Sequence, residues 1–305
     1  MTVWRVQLKP EPQKGISYSE VLEFCRLNEI IGVGWCLVQC VSDLYDDLKE
    51  EIYSIPEYKG EELSAVKAIN AIRNMKKDDL VWTRIGGDAS EYYLCRVGDK
   101  LWTDRVVTDI HRQHDIGNFV SARWLKIGKE DRVPGKVVNS FCVSGTAQRV
   151  NDVEEISKTI WNIYTTEEDK YILTGLRKEH FWNMIGSEEL ECLIMLYLQN
   201  KGYYIYSSTL KLSTAMFEAV LTHKDGKHLA YPQVKRNVPL LVEDYIGCLS
   251  NENDLIYLFT TSEEYGCMVH SQVKTIKKSE LEEFIREHRN ILPQTIVYWL
   301  NAVDN

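Results

Sequence analysis

The sequence predicts two domains of α/β and α+β class: a small β-barrel with helices, then a mixed sheet flanked by helices. Three observations carry this expectation. The chain has 305 residues, long for one core and comfortable for two. Its first half strings short apolar runs between turn residues, with two helical patterns inserted early. Its last third runs helix, three strands, helix, strand, the order of a layered α/β core. The expected divisions are 1–150, a helical connector over 151–182, and a second domain over 183–305.

The elements follow in order. Val3 to Leu8 (VWRVQL) alternates like an opening strand, and Lys9-Pro10-Glu11-Pro12 stops it. Tyr18 to Asn28 reads as a helix, with Val21, Leu22, Phe24 and Cys25 as its apolar stripe. Ile30 to Trp35 (IIGVGW) is a short strand whose glycines permit close backbone approach. Glu61 to Met75 places Leu63, Val66, Ile69, Ile72 and Met75 at helical spacing. Asp78 to Arg84 then starts a strand, Ile85-Gly86-Gly87-Asp88 turns, and Glu91 to Val97 returns as its partner. Leu101-Trp102, Ser121 to Ile127 and Lys136 to Phe141 are further strand-like stretches.

Asp152 to Tyr164 reads as a helix. Ser187 to Asn200 is a stronger one, with Ser187 as cap, Glu188 to Glu191 at its positive end and Lys201-Gly202 closing it. Strands follow at Tyr203 to Tyr206, Phe217 to Thr222 and Leu229 to Val234, with Lys224-Asp225-Gly226-Lys227 as a hairpin turn. Leu240 to Cys248 reads as a helix, Leu255 to Thr260 and Cys267 to His270 as strands. Ser279 to Arg289 and Pro293 to Ala302 are closing helices.

Composition excludes some classes. Hydrophobic content of 44% and charged content of 27% are ordinary for a globular protein. No apolar run reaches the roughly 18 residues of a membrane span, and the opening residues lack a signal-peptide pattern; a cytoplasmic protein is expected. Eight cysteines without a CxxC pair then read as reduced thiols. Cys36 and Cys40 have no second Cys/His pair to complete a zinc site, so they read as small apolar residues. A net charge of −9 argues against a protein that coats nucleic acid, while leaving room for an enzyme that gathers carboxylates around a metal. The seven histidines lack a nucleophile-elbow context, which sets aside a Ser/His/Asp hydrolase.

Metal-assisted phosphodiester cleavage needs oxygen donors converging on a divalent ion and a cation near the nucleophile. Glu218 on one strand and Gln233-Val234-Lys235 on the next offer that set, because residues two apart leave the same strand face. Glu191, near the start of the preceding helix, is a further acid in reach. Taken singly, each also reads as an ordinary surface residue. Together they resemble a known pattern. Residues 183–300 look like the Mrr-type branch of the PD-(D/E)XK nucleases. Glu191 is followed by Gly202-Tyr203, and Glu218 precedes the Gln-x-Lys signature Gln233-Val234-Lys235 by fifteen residues. The resemblance implies that Glu218 and Gln233 bind Mg²⁺ (or Mn²⁺), that Lys235 positions or activates water, and that Glu191 is accessory. It also implies a homodimer, since cutting both strands takes two sites. Glu218 stands where the family usually has aspartate, which bears on whether the site is active.

Residues 1–150 are similar to the PUA-like superfamily, which includes EVE and YTH modules. The carrying residues are Trp4, Gly32-Val33-Gly34-Trp35, Arg73-Asn74-Met75, Lys76 to Trp82 and Tyr92 to Val97; Asp78 or Asp79 stands where the family has glycine. The resemblance implies a pocket for an extruded base, which needs flat apolar walls and edge hydrogen bonds. Trp35, Trp82 and Trp102 are the candidate walls, and core packing is the competing reading for each. Arg84, Arg96, Arg123, Lys126 and Lys136 are candidate contacts to a nucleic-acid backbone, or members of a solvated basic face. The joint expectation is a modification-dependent, type IV-like restriction endonuclease acting on modified DNA in phage defence. The competing expectations are a non-catalytic nucleic-acid-binding protein with a degenerate nuclease fold, and an RNA-directed nuclease.

Overall fold

A computed structural model describes residues 1–10, 15–37, 44–85, 91–176, 178–210, 217–249 and 251–304. Glu11-Pro12, Cys40 and the Gly86-Gly87-Asp88 turn lie outside the described residues. The protein is a mixed α/β chain with two sheets. It divides into two compact units, Met1–Met184 and Ile185–Asp304. Among the described residues, no helix is long and apolar enough to cross a membrane.

The first unit runs β1 (Val3–Val6), α1 (Tyr18–Leu27), β2 (Ile30–Val33), α2 (Tyr45–Ser54), α3 (Glu62–Arg73), β3 (Leu80–Arg84), β4 (Tyr92–Val97), α4 (Asp109–Gln113), β5 (Asn118–Gly128), α5 (Gly135–Ser140), β6 (Ala147–Arg149), α6 (Glu154–Tyr164) and α7 (Phe181–Met184). Its six strands are ordered β2-β5-β4-β3-β1-β6. Strands β1 and β3 are parallel, in the register Val3↔Leu80, and the remaining pairs are antiparallel. Buried Asp79 sets that register: its carboxylate accepts from Thr2 N (2.7 Å), Trp4 Nε1 (2.9 Å) and Lys76 N (3.1 Å). Strand β5 pairs with β2 through Asn118–Ser121 and with β4 through the residues that follow, so one long strand carries the sheet from β4 to β2.

Helix α1 forms where its stripe requires. Ser17 and Glu20 close a capping box, and Val21, Leu22, Phe24 and Cys25 are buried. Two stretches expected as strands differ. Lys136 to Phe141 falls in α5 instead, because Pro134 and Gly135 start a helical turn in which Val137 and Val138 both bond back to Pro134 O and are buried. Leu101-Trp102 enters a 3₁₀ turn at Trp102–Asp104, closed by Leu101 N donating to the Asp104 carboxylate (2.9 Å). The segment expected as a connector, 151–182, is built into this unit. Trp82 Nε1 donates to Ser157 Oγ (3.0 Å), Arg96 Nη1 to Asp169 O (2.7 Å) and the Tyr171 hydroxyl to Asp78 O (2.8 Å).

The second unit runs α8 (Ser187–Asn200), β7 (Tyr203–Ile205), β8 (Leu221–His223), β9 (Leu229–Lys235), β10 (Leu255–Thr260), β11 (Val273–Thr275), α9 (Lys278–Glu287) and α10 (Gln294–Asp304). Its sheet is ordered β11-β10-β9-β8-β7, with β7, β8 and β9 antiparallel and β9, β10 and β11 parallel. Gly202, at φ +94°, ends α8 and turns the chain into β7. Gly186, not Ser187, is the N-cap of α8. The helix expected over Leu240–Cys248 shortens to a 3₁₀ turn at Val242–Tyr245, whose Val242 is buried against β10. The last strand is Val273–Thr275 rather than Cys267–His270, and His270 supplies one isolated bridge to it.

Truncating the buried Trp82 is expected to lower stability by about 3–5 kcal/mol through the cavity it leaves. Ser157→Ala is expected to cost about 1–3 kcal/mol, because the indole N–H is left unpaired. Urea denaturation measures both; no loss with Ser157→Ala would separate α6 from this core.

Candidate functional site

Strand β9 pairs with β10 in the register Tyr231↔Ile256, Gln233↔Leu258 and Lys235↔Thr260. Paired residues share a sheet face. Gln233 and Lys235 therefore stand on the face of Ile256 and Leu258. There a cluster with Leu240, Val242 and Val273 is joined by Phe217, Tyr231 and Tyr245. Pro232 and Val234 take the other face with Tyr257 and Phe259. Pro232 is tolerated inside the sheet because the β8 ladder stops at Ala230.

Glu218 is not part of a ladder; it sits in a bend just before β8, where the sequence pattern assigns a strand. One backbone bond, Glu218 N to Pro232 O (2.9 Å), pins it beside β9. From there its Oε1 lies 3.4 Å from Lys235 Nζ. The pair is part-exposed, with side-chain exposures of 22% for Glu218 and 43% for Lys235, while Gln233 is buried at 6%. Tyr245 borders the site, its hydroxyl pKa raised first by burial and then by Asp244, Cys248 and Glu218. The sequence pattern placed Tyr245 inside a helix and gave no sign of this role.

Helix α8 packs against β7 and β9, and its Tyr197 lies near Tyr257. Arg236, turned the opposite way from Lys235, is half-buried near Glu189 of α8. Burial lowers its guanidinium pKa to about 10, and Glu189 opposes that shift. Helix α8 thus covers the Tyr257 face, and half-buried Glu191 belongs to it. The geometry brings Glu218 to Lys235, with Gln233 on the same strand face, and Glu191 is carried by α8. A carboxylate and an amide oxygen are hard donors that suit Mg²⁺ or Mn²⁺, and the adjacent ammonium suits a phosphate.

In the first unit, two of the three tryptophans expected as base walls are core side chains. Trp82 is fully buried. Trp102 is buried, with Nε1 donating to Asn118 Oδ1 (3.0 Å) and Arg105 stacked on its ring at 3.7 Å. Trp35 differs. It is half-buried and lines a cleft of about 370 Å³ with Gly34, Glu61, Ser64 and Asp115. Trp35 and Asp115 both have φ +53°, a conformation that non-glycine residues adopt at a cost and that clusters at binding sites. A Cβ on Gly34 would lie 2.7 Å from Asp115 Oδ1, so any side chain there would have to displace that carboxylate. Asn118 holds the turn: its Nδ2 donates to Gly34 O (2.8 Å) and Trp35 O (2.9 Å). Sequence reasoning missed Asn118 and Asp115. The available signal was a polar pair around Gly117, directly ahead of an apolar run.

The five candidate backbone contacts all have partners within the protein. Arg84 donates to the Tyr92 hydroxyl (2.9 Å) and lies over the Phe141 ring. Arg96 is clamped by Asp78 (2.6 Å) and Asp169 O, over Tyr171 at 4.4 Å. Arg123 pairs with Asp169, Lys126 with Glu91 (2.7 Å) and Lys136 with Asp152 (2.6 Å).

No protein-family model and no curated protein matches the chain.

Because the Glu218–Lys235 pair is part-exposed, Lys235→Ala is expected to change stability by less than about 1 kcal/mol. Chemical denaturation of the variant checks this; a larger loss would make the pair a structural element.

Proposed function

We propose that this chain is a modification-dependent, type IV-like restriction endonuclease, a cytoplasmic homodimer acting in phage defence. In this reading the second unit is a PD-(D/E)XK nuclease core and the first a PUA-like module that senses a modified base. The observation that carries it is the approach of Lys235 Nζ to Glu218 Oε1 at 3.4 Å, with Gln233 on the same strand face. Two segments of the sequence, the bend at Glu218 and the end of β9, thereby come together at one end of a mixed sheet.

Glu218 and Gln233 would hold Mg²⁺ (or Mn²⁺) through oxygen. The ion, when bound, stabilises charge on the phosphate and acidifies a bound water. Lys235 orients that water and offsets the charge that develops on the phosphate oxygens. Its pairing with Glu218 keeps the ammonium in place before substrate arrives. Buried Gln233 presents its amide from a strand rather than a loop, which fixes its direction. Trp35 gives one flat wall for a base, and the same cleft is lined by the Glu61 and Asp115 carboxylates, acceptors of the kind a base's donor edge needs. Glu191, on α8, is retained as an accessory acid.

One observation favours a second reading. Glutamate at 218 adds a methylene to the usual acid, and a degenerate site of this kind would bind nucleic acid without cutting it. The RNA-directed alternative uses the same residues and differs in substrate.

Purified chain is expected to cut methylated or hydroxymethylated DNA with Mg²⁺ and to spare plain DNA and a matched RNA duplex. Lys235→Ala and Glu218→Ala are each expected to reduce cleavage by at least about 10²-fold. Trp35→Ala is expected to erase discrimination between modified and plain DNA. Binding without cutting in the wild type would establish the second reading. Cleavage unchanged by both Lys235→Ala and Glu218→Ala would refute the assigned site.

A further inference from the structure

The hairpin between β8 and β9 carries a second constellation of metal-ligating side chains, separate from Glu218 and Lys235. We propose that His223, Asp225 and His228 form a Zn²⁺-binding site that clamps this hairpin. Their ligand atoms lie within 4.8 Å of one another. His223 Nδ1 stands 2.9 Å and His228 Nδ1 3.8 Å from Asp225 Oδ1. The two imidazoles stack, with centroids 4.7 Å apart and planes 18° from parallel. Both Nδ1 atoms thus stand beside the same carboxylate oxygen. Two imidazoles and one carboxylate suit Zn²⁺ and leave a fourth tetrahedral position for water.

The backbone prepares this arrangement. Gly226 N donates to His223 O (2.8 Å) and His223 N to His228 O (3.1 Å), so the turn holds the two histidines opposite each other. Gly202, at φ +94°, packs beside this turn, next to the Lys224 and His223 side chains.

Two observations point to a ligand rather than to a hydrogen-bonded turn alone. His223 Nδ1 is buried and, for all its closeness to Asp225, makes no aligned hydrogen bond. His228 Nε2 is held by the Tyr203 hydroxyl at 3.1 Å, which in turn meets the Tyr257 hydroxyl at 3.0 Å. A histidine fixed through its outer nitrogen presents the inner one in a set direction, which is how metal-binding histidines are oriented. Asp225 Oδ1 also accepts from Lys227 N (2.9 Å), which steadies the carboxylate.

This site is independent of the nuclease reading. Tyr203, His223 and Tyr257 belong to the sheet face opposite Gln233 and Lys235. At about 3.3 Å per residue, roughly 23 Å of strand separates His228 from Lys235.

The test is calorimetric titration of Zn²⁺ into metal-free full-length protein, wild type and Glu218→Ala, with Co²⁺ absorption as a report of tetrahedral geometry. The expected result is one ion per chain in both proteins. His223→Ala and His228→Ala should each weaken binding at least ten-fold. Tyr203→Phe, which keeps the ring and loses the hydroxyl, should weaken it by about ten-fold. NMR of the wild-type imidazole nitrogens on adding Zn²⁺ should move His223 and His228 and needs no variant. No binding by the wild type would overturn the proposal. So would equal affinity in a His223→Ala/His228→Ala double variant, or binding that Glu218→Ala alone abolishes.

Discussion

The second unit hangs on the two-residue period of β9. This strand is paired on both sides, antiparallel to β8 and parallel to β10, so its register cannot slip without breaking two ladders. The period sends Gln233 and Lys235 to one face and Val234 to the other. A slip of one residue would bury the lysine among Tyr257 and Phe259 and turn Val234 toward Glu218. Leu258 and Phe259, on opposite faces of β10, are both fully buried, so the sheet is covered on both sides and the register of β9 is held from each.

The first unit rests on a comparable constraint, supplied by buried polar groups. Asp79 ties the starts of β1 and β3 through three hydrogen bonds, and Asn118 ties Trp102 to the backbone of Gly34 and Trp35. An unpaired buried acceptor or donor is costly, so such hubs select one arrangement of the chain. The Asn118 hub has a functional corollary. It fixes a turn in which Trp35 holds a left-handed backbone, and thereby holds the one tryptophan of the three that borders a cleft.

Much of this was legible in the sequence, for reasons that also explain what was not. Helices α1, α3 and α8 and strands β3, β4, β9 and β10 carry strong apolar periods, and they form close to where those periods place them. Helix α5 was hidden because Val137-Val138 looks like a strand when the preceding Pro134-Gly135 is read as a turn. Arg5 shows the limit of alternation: β1 is covered on both sides, so the arginine is fully buried and donates to Gly145 O and Ser140 O. The nearness of Glu218 to Lys235 followed from a spacing pattern. The failure of Trp82 and Trp102 as base walls did not, because a tryptophan's exposure depends on what packs across it, here α6 and Asn118. The His223–His228 cluster was read only as a turn, since its third dimension is the fold of Tyr203 beneath it.

The paired cations sharpen what any nucleic-acid contact must look like. Arg96, at 21% side-chain exposure, is held by a carboxylate, a carbonyl and an aromatic ring, and Arg84 lies over Phe141 and Tyr92. Withdrawing either toward a phosphate would break several contacts at once. Arg123 and Lys126 are more than half exposed and each pairs with an acid at the surface. Exposed pairs of this kind contribute little to stability, so a phosphate can replace the acid at little cost. A chain charge of −9 gives no overall attraction for a polyanion, so any such contact depends on local positive surface. Arg123 and Lys126 lie on the same β5 strand that begins at Asn118 beneath Trp35, so of the five candidate cations these two are the ones free to exchange partners at small cost.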